Sequence, residues 1–417
     1  MAGKIRSGQL WRGILAGLLF IGLLFWANYR FSIAEPGGTD FLYRWLPTRL
    51  VVFEGYENPY SDEVEYQVEL MHHGHAHQAD ETPGIFAYPY YTMGVFLPLA
   101  LIRDFFLARA LWMTLMELAH LGIIFLVLKM LNFTPGKNLT LALILFALLP
   151  ADFAQPLVDG NPSSLAALFA VLALFFTWRE KDAWAGVFLA LSTIKPQLVI
   201  LFFALVWLWA FSSRRWRIIA FSAGSLLLLL GSSFLLQPSW LAEFIKDLTT
   251  YTGVARPSTP HAIIRYWLPE TAAAAIAIIL SLFSLFVILR MVKFYYGKDF
   301  SHLFVVAGLI FVLMPLSGIT SAKSNYVGMF PSVLLLLWFG VKKMKISENR
   351  FAVFLLVWIV LSWVFFVAGQ NWVVNGTLIY FVDFYPLPLL LLSIFAAIRV
   401  FRNEKLLSFY DKPGKRD

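Results

Sequence analysis

The sequence predicts an all-α polytopic membrane protein: a bundle of about twelve transmembrane helices with a long first extracytoplasmic loop carrying interfacial helices. Three observations predict it. Of 417 residues, 59% are hydrophobic and 14% charged, against about 25% charged in soluble domains. The mean hydropathy is +0.72 over the whole length. Apolar stretches recur at the length of about 20 residues that a hydrocarbon core of about 30 Å demands. Together these exclude a disordered chain and a soluble enzyme. The sequence has no cysteine, which excludes disulfides, thiol nucleophiles and cysteine-based metal sites. A net charge of +8 is compatible with a nucleic-acid partner, but membrane chains gather basic residues in cytoplasmic loops, and no nucleic acid is expected.

Taken in order, spans are expected near Leu10–Tyr29, Ile85–Ile102, Ala108–Met130, Leu139–Pro150, Ser163–Trp178 and Ala185–Ser212. Six more are expected near Ile218–Leu236, Thr271–Met291, Ser301–Leu316, Tyr326–Val341, Phe351–Gly369 and Leu378–Ile398. Leu139–Pro150 is short for a crossing, so the Pro-rich turn after it is expected inside the membrane, shielded by neighbouring helices. Lys4, Arg6 and Arg12 place the N-terminus in the cytoplasm, and alternate counting puts four further basic clusters on the same side: Arg214–Arg217, Arg290–Lys298, Lys342–Lys345 and Arg399–Lys405. Both termini are therefore expected inside, in a multi-pass protein of the cell membrane. The first span ends on a faint signal-peptidase pattern, Ser32-Ile33-Ala34, but the parity works with that helix retained. Two modules are expected: residues 1–270, with outer loops 31–83 and 237–270, and residues 271–417, a set of helices with a short cytoplasmic tail.

The first loop holds ten of the 25 acidic residues, with only Arg44 and Arg49 opposing them. Its segments Phe41–Leu46 and Leu50–Phe53 mix apolar and polar residues, the pattern of short interfacial helices with Trp and Tyr at headgroup depth. The loop at 237–270 reads the same way. No internal repeat is evident, which counts against carriers built from duplicated halves.

Directly after the first span stands "TDFLYRWLPTRLVVFEGYENPY", with Asp40-Phe41 and then Gly55-Tyr56-Glu57-Asn58-Pro59-Tyr60. "FAYPYYTMGVFLPLALI", "PLVDGNPSSLAALFAVLA", "AGVFLALSTIKPQLVILF" and "SGITSAKSNYVGMFPSVLLLL" follow in order. The ordered set resembles the GT-C superfamily of membrane glycosyltransferases, and within it the GT87 family of polyprenyl-phosphate-mannose-dependent mannosyltransferases. The sequence departs from the family pattern at Tyr90, where a second proline is usual, at Asn161, where glutamine is common, and in a histidine-rich insertion. The resemblance implies a GT-C-like bundle. It also implies inverting transfer of a sugar, mannose in this family, from a polyprenyl-phosphate donor to an acceptor hydroxyl on the outer face. The acceptor is a glycan, lipid or protein. No cofactor and no metal are required by such a donor, and the bilayer is itself a partner.

That chemistry needs a carboxylate to take the proton of the attacking hydroxyl and cations to face the departing phosphate. Asp40 is expected to be the base, the alternative being a solvated loop carboxylate. Lys195, inside an apolar stretch and followed by Pro196, must face a cavity or a partner; a lipid phosphate meets that need, and so does pairing with Asp159. Arg256, Arg265 and Lys323 are secondary phosphate ligands, against the plain reading that they meet lipid headgroups. Asn58, Tyr60, Asp62, Asp159 and Asn161 are the expected substrate-binding residues. For Asn58 and Tyr60 turn formation is the alternative, and for Asn161 a cap at the start of the next helix. The run His72-His73-Gly74-His75-Ala76-His77 has spacings that hold zinc or nickel, with Asp80 or Glu81 to complete a site. It reads as a polar loop bordered by Gly and Pro, however, and no metal is assigned to it. His120, His261 and His302 are isolated. The rival function is a multi-pass transporter of a polar solute or lipid-linked saccharide.

Overall fold

The computed structural model describes residues 7–35, 37–78, 81–254, 264–265, 267–317, 319, 323–369, 373–374, 377–378 and 391. Among these the chain is helical, apart from a two-residue antiparallel pairing of Val373–Val374 with Thr377–Leu378. Seven described helices are long and apolar enough to cross a bilayer. An eighth crossing is counted if Lys137–Leu148 and Ala151–Asp159, bent by 49°, form one broken span. That bend falls where the short apolar stretch and the Pro-rich turn predicted it. The expected helix Leu378–Ile398 lies almost wholly outside the described residues.

The chain divides into two compact units. The first comprises Met1–Phe86, Met93–Leu118 and Leu157–Gly160. It begins with α1 (Ser7–Ala34), whose large apolar side chains are mostly exposed, as a lipid-facing anchor requires. Next come α2 (Thr39–Phe53), α3 (Asp62–His73), α4 (Met93–Ala100) and the start of α5 (Phe105–Met130). The first loop is thus largely helical, and its two apolar segments form one helix rather than two. Phe41 to Trp45 are all buried, so α2 does not present a Trp-Tyr face to a membrane surface. The cause is an aromatic core: the Phe41 ring lies about 6 Å from those of Trp45, Phe96, Phe105 and Trp112.

The second unit comprises Ala87–Thr92, Ala119–Pro156 and Asn161–Asp417. It contains α6 (Lys137–Leu148), most of α7 (Ala151–Asp159), α8 (Ser163–Trp178), α9 (Asp182–Leu191) and α10 (Pro196–Ser212). Helices Trp216–Leu236, Trp240–Val254, Glu270–Tyr295, Phe300–Leu313, Phe330–Lys342 and Glu348–Gly369 follow. Every residue of Phe300–Leu313 is buried, whereas Glu270–Tyr295 and Glu348–Gly369 bury few of their side chains, as lipid-facing helices do.

Two expected spans are broken. Ile85–Ile102 holds only a 3-10 turn, Tyr90–Thr92, and the eight-residue α4. Pro89 accounts for this, since proline lacks an N–H and drives the preceding residue out of helical geometry, whereas Pro98 is tolerated inside α4. Ala185–Ser212 is split into α9, a 3-10 turn at Ser192–Ile194, and α10. Lys195, pushed to φ −130° and ψ 83° by Pro196, forms the break.

Candidate active site

Asp40 stands in the first turn of α2, just after Gly38, whose backbone is left-handed at φ 82°. It is a helix-start carboxylate and not a loop one. Arg44, one turn on and 3% exposed, donates Nη1 to Asp40 Oδ1 at 2.7 Å and to the Asp40 carbonyl at 2.6 Å. The carboxylate keeps 23% of its surface exposed. It is therefore oriented by a buried cation and still open to a reactant. On the same helix, Tyr43 Oη and Thr39 Oγ1 lie 3.0 and 3.3 Å from the two ring nitrogens of His72. Burial and the neighbouring His73 hold the His72 imidazole below its usual pKa.

Gly160 locks this corner from behind. With φ 80°, it lies so close to Phe41 that a Cβ would sit 2.5 Å from the Phe41 Cβ, and its carbonyl accepts Trp112 Nε1 at 2.8 Å. The Asp-Phe and Gly-Asn segments owe part of their composition to this approach. Arg109, fully buried, donates to the carbonyls of Glu35 and Val158 and interacts with the charge of Asp159, which is itself exposed.

In the second unit a polar cluster forms around Lys195, which is 3% exposed. Its Nζ donates to Asn161 Oδ1 at 2.7 Å, Ser163 Oγ at 2.5 Å and Ser324 Oγ at 3.3 Å. Ser163 Oγ in turn donates to Asn161 Oδ1 at 2.6 Å and Asn325 Oδ1 at 3.1 Å. These oxygens carry no net charge and orient the ammonium through hydrogen bonds. Asn161 also accepts the Ser163 backbone N–H at 3.1 Å, so it serves both the helix start and the lysine. The N-terminus of α8, with its positive dipole end, opens on the same cluster.

The break that carries Lys195 leaves carbonyls without helical donors. Tyr91 Oη donates to the Thr193 carbonyl at 2.9 Å, and Thr92 Oγ1 to that of Ile194 at 3.3 Å. The segment "YPYYT" is therefore a brace for the lysine turn. Beside it, His120 is buried in α5, its Nδ1 donating to the Ala147 carbonyl and its Nε2 accepting from Ser164 Oγ, both at 2.7 Å.

The other expected residues are placed less decisively. Asn58 Oδ1 accepts the Tyr60 N–H at 3.0 Å, and the buried Tyr60 ring packs edge-on against Phe86 at 5.5 Å, so both shape a turn. Asp62 is exposed in the first turn of α3. Lys323 lies 5.9 Å over the Phe366 ring, and Arg265 is exposed. Arg256 and His261 lie outside the described residues. Sequence reasoning gave no site role to Arg44, Arg109, Ser324, Asn325 and His120, and gave Ser163 only a part in a helix-start cap. The spacing of Arg44 four residues after Asp40 was a usable signal, as was an arginine inside the apolar stretch of α5; the serines and Asn325 carried none.

Residues 86–316 match the family model of glycosyltransferase family 87, and the matched stretch takes in Asn161, Ser163 and Lys195 but not Asp40. No curated protein and no solved structure matches the chain. The match spans more than half of the sequence and includes Asn161, Ser163, Lys195 and the Tyr91–Thr92 brace: the chain belongs to glycosyltransferase family 87.

Proposed function

We propose that this glycosyltransferase moves a sugar, mannose by family likeness, from a polyprenyl-phosphate donor to an acceptor hydroxyl on the outer face of the membrane. The acceptor oxygen attacks the anomeric carbon and its proton passes to Asp40. The bond from that carbon to the phosphate oxygen breaks, and the phosphate leaves with the electron pair. Attack from the face opposite the leaving group inverts the anomeric configuration. Arg44, 2.7 Å from Oδ1, holds the Asp40 carboxylate in place.

The observation that carries the donor class is the Lys195 cluster. A buried ammonium held by neutral oxygens beside a helix N-terminus attracts a phosphate more strongly than the same groups in water would, because the low dielectric enlarges each charge-dipole term. Ser324, held at 3.3 Å, is a partner that a phosphate oxygen replaces more easily than Asn161 or Ser163. Arg256, Arg265 and Lys323 are further phosphate ligands in this proposal. Asp62, Asp159 and Asn161 are the acceptor- and sugar-facing groups, with Asn58 and Tyr60 shaping the loop that presents them. The transport reading has no observation in its favour once the family is assigned.

Binding of polyprenyl phosphate to the purified protein in nanodiscs tests the proposal. A charge-assisted hydrogen bond of about 1.5–3 kcal/mol makes Lys195→Met weaken binding by about 10- to 150-fold. Equal affinity in that variant removes the lysine from the donor site.

A further inference from the structure

The histidine run and the acidic helix before it meet in a way that sugar transfer does not use. Glu65 and Glu69 stand one turn apart on the same face of α3. The chain leaves that helix through Gly74, left-handed at φ 80°, and folds back so that His77 reaches the two carboxylates. One ligand atom from each of Glu65, Glu69 and His77 lies within 4.8 Å of the others.

The arrangement is built into the fold. Glu69, 3% exposed, accepts the His77 backbone N–H at 3.0 Å, His77 Nδ1 at 2.5 Å and the Gly84 N–H at 3.2 Å. Gly84 itself is pressed against α3, where a Cβ would meet the Glu65 carbonyl at 2.8 Å. The other three histidines point elsewhere. His72 contacts Tyr43 and Thr39, His73 the Thr82 carbonyl, and His75 the Ala76 carbonyl. Of the four, His77 alone joins the carboxylate pair.

We propose that Glu65, Glu69 and His77 bind one zinc ion, clasping the segment after Gly74 to α3. Two carboxylates crowded beside one imidazole repel each other, and a divalent cation turns that repulsion into shared attraction. An imidazole and two carboxylates, with water in the fourth place, make a tetrahedral zinc set; calcium demands about six to eight oxygens. Zinc ligands at about 2.0–2.2 Å from the metal stand about 3.3 Å apart. The side chains therefore need shifts of about 1 Å, with the His77–Glu69 hydrogen bond opening and the ring proton carried on Nε2 so that Nδ1 is free to ligate.

Zinc alone is the probe, added to full-length protein carrying no histidine tag, followed by gel filtration and metal analysis. The expected result is one zinc retained per chain. X-ray absorption should then show a single imidazole nitrogen and oxygen donors at about 2.0–2.2 Å. His73→Ala with His75→Ala keeps that stoichiometry. Glu65→Gln with His77→Ala loses it, with an affinity drop beyond the about 10- to 100-fold that an outer contact costs. No zinc retained by the wild type overturns the proposal, as does full retention by the Glu65/His77 variant. If that variant does not elute as folded protein, the wild-type absorption spectrum decides: two or more imidazoles around the metal assign it to the histidine run instead.

Discussion

Two polar corners handle charge in opposite ways. At the start of α2, the Asp40 carboxylate meets the buried Arg44 guanidinium at 2.7 Å and stays partly exposed. At the start of α10, the Lys195 ammonium is 3% exposed and rests on the neutral oxygens of Asn161, Ser163 and Ser324. The first corner fixes a carboxyl group by a buried guanidinium and leaves part of its surface exposed. The second holds a buried cation among hydroxyl and amide oxygens. A general base and an anion ligand need these two different environments, and the contrast can be broken at either end.

The largest effect is expected at Asp40. Replacing it by Asn keeps the acceptor for Arg44 but removes the proposed base, and turnover should fall by about 10²–10⁴-fold with thermal unfolding nearly unchanged. Near-normal transfer by Asp40→Asn erases the functional side of the contrast. At the second corner, Lys195→Met should leave the unfolding temperature equal or higher, because a buried charge is exchanged for an apolar side chain of similar size. Asn161 and Ser163 remain bonded to each other in that variant. A marked loss of stability makes Lys195 a structural strut.

Gly160→Ala sharpens the first corner. Its Cβ collides with Phe41 and the backbone sits at φ 80°, so destabilisation of about 1–3 kcal/mol is expected, read by thermal unfolding in detergent. The smallest effect concerns a second carboxylate with a basic partner, Asp299. It caps Phe300–Leu313 through the N–H groups of Ser301 and His302. Its carboxyl is held down at about 2, first by the hydrogen bond from His302, against a smaller opposing effect of burial. Asp299→Ala should cost about 0.5–2 kcal/mol near neutral pH. Because the folded value lies below the usual carboxylate range, that contribution is whole above about pH 4 and fades as pH falls through about 2. A deficit that persists at pH 2 assigns the effect to helix propensity.

The helices were legible where apolar length and punctuation agree. α8 runs Ser163–Trp178 as the sequence predicts, because Pro162 and the polar Asn161 mark one end and Arg179 the other. Apolar composition misled where prolines interrupt it, at Pro89 and Pro196. Site chemistry was legible only as single residues. Lys195 declared itself by its cost in an apolar stretch, but its contact with Ser324 spans 129 positions, and a serine in a membrane segment gives no hint of such a partner. The histidine run was read as a loop, yet His72 and His73 close α3, and the carboxylates facing His77 become apparent only when the chain folds back.

Mass spectrometry of purified protein incubated with a panel of polyprenyl-phosphate sugars tests the central claim most directly. The account predicts consumption of a polyprenyl-phosphate hexose, mannose foremost, with equimolar release of polyprenyl phosphate and a product of inverted anomeric configuration. A panel left wholly intact in the presence of acceptor glycans and lipids, or a product of retained configuration, contradicts it.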